Sequence, residues 1–116
     1  MTVIEVEFLN FRLAPSIDAQ PVVTLSIWRV FEHMGHRQLV GVLDNGAVRM
    51  TSPVVDLDGQ ARTLTTTSGR VYSLTAPPIE DNLLRQLLEA RVIHSGLIGA
   101  MDVSDLIWEP FKTAEH

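Results

Sequence analysis

With 116 residues, of which 46% are hydrophobic and 20% charged, the chain has the composition of one ordinary globular domain, able to bury a core without disulfide or metal staples. It contains no cysteine, which excludes disulfides, thiol catalysis and thiolate metal sites together. The net charge of −5 opposes general attraction to phosphate backbones or anionic lipid, and with an acidic start and no long apolar run the expected setting is cytoplasmic, with neither membrane nor nucleic acid as partner.

In chain order, Ile4, Val6 and Phe8 alternate with Glu5 and Glu7, the period of a half-buried strand. Leu9, Phe11 and Leu13 then fall on the opposite parity, which predicts a bulge near Phe8-Leu9. Pro15 breaks this strand, and Pro21 opens the most β-prone run, Val22 to Glu32. There Val23, Leu25, Ile27 and Phe31 share one parity, while Trp28 and Val30 point the other way and Arg29 interrupts the apolar pattern. Such a strand is covered on both faces or bends near Trp28. Met34-Gly35-His36 turns the chain into Gln38–Leu43.

Asn45-Gly46, Asp58-Gly59 and Ser68-Gly69 then mark three tight turns between apolar or β-branched runs. A two-residue loop at Asn45-Gly46 would set Leu43 against Val48 and Gly41 against Met50, leaving room at Gly41 for the Met50 side chain. A two-residue loop at Ser68-Gly69 would set Thr65 against Tyr72. Pro53 belongs at an edge or a bulge, because it cannot donate to a ladder.

Pro77-Pro78 ends the β-rich part, residues 1–76, and a helix is expected over 78–94, with Glu80 and Asp81 in its first turn, Arg91 and His94 in its last, and Gly96 just beyond. Leu83, Leu84, Leu87 and Leu88 read as its apolar stripe. The remainder, 97–116, is apolar and irregular, with Asp102 or Ser104 available to cap a short helical turn. The fold class expected is α+β: a strongly curled antiparallel meander or small barrel of five or six strands, with one amphipathic helix in the C-terminal half.

Chemistry-bearing residues are few. Glu32, His33 and His36 lie close together, and His94 could join them; a divalent metal would need three or four such ligands to converge. His33 and His36 are therefore the candidate metal ligands, against the alternative of surface histidines on a turn. Asp56 and Asp58 are too few for a calcium loop and read as turn-capping carboxylates. Arg49, Arg62 and Arg70 with Tyr72 could offer a basic face to a single strand, although such grooves ordinarily stack several aromatics. No Gly-x-Ser-x-Gly elbow and no phosphate loop is present. Trp108 and Phe111, with Leu106 and Ile107, form an apolar cluster that either seals the chain's own core or docks on another subunit. With Trp28 they are the candidate interface residues. No cofactor and no reaction is implied, and the leading expectation is a non-enzymatic interaction module whose partner is a second copy of itself or another protein.

Overall fold

The computed structural model describes residues 16–113; the strand expected over Ile4–Phe8 and its bulge lie outside them. The elements are β1 (Val22–Leu25), β2 (Trp28–His33), β3 (His36–Val42), β4 (Val48–Asp58), β5 (Thr63–Thr66), β6 (Val71–Leu74), α1 (Asn82–His94), β7 (Met101–Asp102) and α2 (Ser104–Thr113). The fold is α+β, as expected, but among the described residues the sheet has seven strands in the order β1-β6-β5-β4-β3-β2-β7 and is open, with β1 and β7 at its ends. It is also mixed. From β2 to β6 each strand pairs antiparallel with the next, whereas β1 lies parallel to β6, Val22 opposite Val71 and Leu25 opposite Leu74.

Only Ser26 and Ile27 separate β1 from β2, yet these strands occupy the first and sixth places in the sheet. The junction is held from both sides: Val42 N donates to the Ile27 carbonyl at 3.0 Å and Thr75 N to the Leu25 carbonyl at 2.9 Å. Gly41 makes this approach possible, since a Cβ there would lie 2.9 Å from the Ile27 carbonyl oxygen and 2.8 Å from a Leu25 methyl. Its missing side chain thus makes room for the β1–β2 junction, not for Met50.

The parity of the chain changes at that junction. Val23 and Leu25 share a core cluster with Trp28 and Val30, completed by Val103, Ile107, Trp108 and Phe111 from α2 and its approach. Ile27 and Phe31 instead belong to a second cluster, with Val40 and with Leu88 and Val92 of α1. The strand both bends and is covered on its two faces, so all four residues Trp28–Phe31 are buried.

The hairpins explain two register differences. The β3–β4 loop has three residues, Asp44-Asn45-Gly46: Gly46 N donates to the Leu43 carbonyl and Leu43 N to the Ala47 carbonyl, both at 2.8 Å, with Gly46 at φ +87°. The β5–β6 loop repeats this with Gly69 N to Thr66 and Thr66 N to Arg70, and Gly69 at φ +92°. This is a type I turn closed by a left-handed residue, the commonest three-residue hairpin. Each register therefore moves by one from the two-residue expectation, giving Val42 opposite Val48 and Leu64 opposite Tyr72. At Asp58-Gly59 the left-handed residue is Arg62, φ +57°, while Asp58 Oδ1 accepts from the Gln60 and Ala61 amides at 3.0 Å.

Among the described residues there are two helices, not one. The first begins four residues later than expected, since Asp81 is its N-cap and accepts from Leu84 N at 3.0 Å. At its other end Gly96 N donates to the Ile93 carbonyl and Leu97 N to the Val92 carbonyl, the paired bonds of a Schellman cap. The second, α2, begins where Asp102 Oδ1 accepts from Ser104 N at 3.0 Å. No helix among the described residues is long and apolar enough to cross a membrane.

Candidate functional site

Alternation along β2 sends Trp28 into the sheet–α2 core, and helical spacing from Ser104 sends Trp108 and Phe111 to meet it. Trp28 and Phe111 are fully buried and Trp108 nearly so. The indoles stand 5.9 Å apart between centroids, and Trp108 lies 5.3 Å from Phe111. In this conformation the three candidate interface residues are core, and the apolar tail seals its own chain.

His33 and His36 flank the Met34-Gly35 turn as a cross-strand pair. Glu32 accepts instead from Arg37 Nε at 3.1 Å across the same hairpin. His94 stands on the exposed side of α1, and among the described residues no group of three or more His, Asp or Glu side chains could hold a metal ion. The three arginines are each engaged within the chain. Arg49 Nη1 donates to Gln20 Oε1 at 3.1 Å, Arg70 Nε donates to the Gln20 carbonyl at 2.9 Å, and the Arg62 guanidinium lies 5.2 Å from the Trp108 ring centroid. They fasten the segment before β1 and cover the α2 indole.

One buried network went unread in the sequence. Arg29, only 4% exposed, grips Asp102 with two bonds, Nε to Oδ2 at 2.9 Å and Nη2 to Oδ1 at 3.1 Å, and donates through Nη1 to the Ile79 carbonyl at 2.7 Å. Ser104 Oγ donates to Asp102 Oδ1 at 2.6 Å and accepts from Val30 N at 2.9 Å. Burial raises the Asp102 carboxyl, but the hydrogen bonds from Arg29 and Ser104, with the Arg29 charge, outweigh it and hold the group below its ordinary value. The available signal was Arg29 itself, a cation among Trp28, Val30 and Phe31, which needs an anionic partner once it is buried. Every member is satisfied locally, so the network fastens α1's approach and α2's start to β2 and presents no reactive group.

What faces outward is the far side of α1. Its inward face is built on Leu84, Leu88 and Val92, with Leu88 fully buried. At about 100° per residue, Leu83, Gln86, Leu87, Ala90 and Ile93 occupy an arc of about 120° on the other side. All five are exposed, with Leu83 at 76%, Leu87 at 46% and Ile93 at 51%. The expected leucine stripe is thus split, with Leu88 in the core and Leu84 half-buried, while Leu83 and Leu87 are exposed. Single exposed leucines are ordinary, but several neighbouring on one helix face form a patch of the kind that marks a contact surface.

A second open surface is the outer edge of β1. Val71 N and Thr75 N donate to the Pro21 and Leu25 carbonyls, so alternate residues face β6 and the backbone groups of Val22 and Thr24 point away from it. No strand among the described residues pairs with that side.

Comparison with protein-family models, with curated proteins and with solved structures found no match to this chain.

Proposed function

We propose that this protein is a small non-enzymatic interaction module that acts as a homodimer. The observation that carries this reading is the apolar strip Leu83, Leu87 and Ile93 on the outer side of α1, a helix already anchored in the core through Leu88 and Val92. Among the described residues these side chains remain exposed. Leaving a leucine in water forgoes about 1.5 to 3 kcal/mol of the free energy its burial would supply, which a second surface can recover. Closed assemblies of two identical subunits are the commonest way to do so.

The polar groups support the same reading from the other side. The buried ionic group is internally satisfied, and the arginines that could have offered a basic face hold Gln20 and Trp108. Native mass spectrometry of the purified chain tests the proposal and its competitors in one spectrum. A dimer of unaltered subunit mass is the expected result. A monomer carrying a stoichiometric metal, lost in the His33→Ala/His36→Ala variant, would replace this reading with a binding site at the β2–β3 turn.

A further inference from the structure

Taking the homodimer reading as its basis, we infer that the contact is made by α1 lying antiparallel against α1 of a second copy, about a two-fold axis midway between Leu87 and Ala90. Charge order along the helix sets the direction. Asp81 caps its start, preceded by Glu80, which pairs with Arg85 of its own chain at 3.5 Å, and Arg91 stands in its last turn. Antiparallel packing therefore brings the acidic end of each helix beside the cationic end of the other, with the two macrodipoles opposed. Parallel packing would set like ends together.

Side-chain size sets the axis. With the two-fold midway between positions 87 and 90, Leu87 of each helix lies over Ala90 of the other, a large side chain above a small one, which permits close approach. Leu83 then reaches toward the far end of the opposing helix, beside His94. The 13 residues of α1 span about 20 Å, which is short for an interface of the usual ~800 Å² per partner. The dimer expected is accordingly one whose population depends on protein concentration.

The test is sedimentation velocity on the full chain from about 1 to 200 μM, a range bracketing weak association, for the parent and for Leu83→Glu/Leu87→Glu. Both positions are exposed, so the variant keeps the parent's circular dichroism and, at concentrations where both are monomeric, its melting transition, while its dimer dissociation constant rises at least tenfold. Because the chain has no cysteine, direction is read by single placements under mild oxidation. Chains carrying Leu83→Cys are expected to cross-link to chains carrying His94→Cys and not to one another, whereas Ala90→Cys chains link to themselves. Self-linking at Leu83→Cys would show a parallel pair and overturn the inference. A dimer that persists in the folded double glutamate variant places the contact elsewhere, the β1 edge being the next surface, and overturns the inference while the homodimer stands. A parent that stays monomeric throughout ends the homodimer reading itself.

Discussion

Arg29 and Asp102 show how one residue pair binds distant parts of the chain. The partners are 73 positions apart, and the side chain of Arg29 is 5% exposed against 27% for Asp102. Removing the carboxylate strands a buried guanidinium, so Asp102→Ala is expected to destabilise the protein by about 3 kcal/mol, whereas adding Arg29→Met to it recovers part of the loss. Urea unfolding of the four proteins in that cycle checks both statements. The sign of the pH dependence follows from the lowered carboxyl. Asp102 stabilises the fold at pH values above its ordinary 3.8, and that contribution is lost as pH falls through the lower native value. The stability gap between parent and Asp102→Asn should be flat near neutrality and narrow below about pH 4. Gly41 makes a second case at this scale. Gly41→Ala pushes a methyl against the Ile27 carbonyl and Leu25, and a loss of about 1 to 3 kcal/mol is expected on thermal or urea unfolding.

Among the elements, α1 separates two kinds of leucine on one helix. Leu88→Ala, at a fully buried position, is expected to cost about 2 to 5 kcal/mol. Leu83→Ala, at a position 76% exposed, should change the stability of the monomer by no more than about 0.5 kcal/mol. The two hairpins with three-residue loops offer a parallel comparison, because Gly46 and Gly69 fill the same left-handed position. Alanine at either should cost about 1 to 2 kcal/mol, read as a lowered denaturant midpoint. For α2, Phe111 is the deepest anchor, fully buried beside Trp108. Phe111→Ala is expected to cost about 3 to 5 kcal/mol and to shift the tryptophan emission to the red as water reaches Trp28 and Trp108.

For the molecule as a whole, the sheet carries one helix against each side of its β2 region, and the two clusters are joined through β2, whose alternating residues belong to both. Unfolding followed by tryptophan emission, which reports the α2 side, and by circular dichroism, which is dominated by sheet and α1, should therefore coincide in one transition. The same layering leaves the outer side of α1 and the edge of β1 exposed among the described residues. Trp28, Trp108 and Phe111 are the large aromatics a binding surface would use, and the tail instead folds back and spends them on the core.

The features that could be read from the chain alone are those decided within a few residues. The glycine turns, the strands between them, the Pro-Pro stop, the Gly96 cap and the α+β class all follow from backbone sterics and side-chain period, which need no distant partner. Loop length is not fixed by that signal, since two- and three-residue turns share the same glycine and differ by one residue of register. Only the tertiary structure decided which leucines of α1 face inward, that β1 runs parallel to β6, that Arg29 meets Asp102, and that the arginines of the meander hold Gln20 and Trp108. Each of these joins groups far apart in sequence, and a composition or a local period carries no record of which distant surface will cover it.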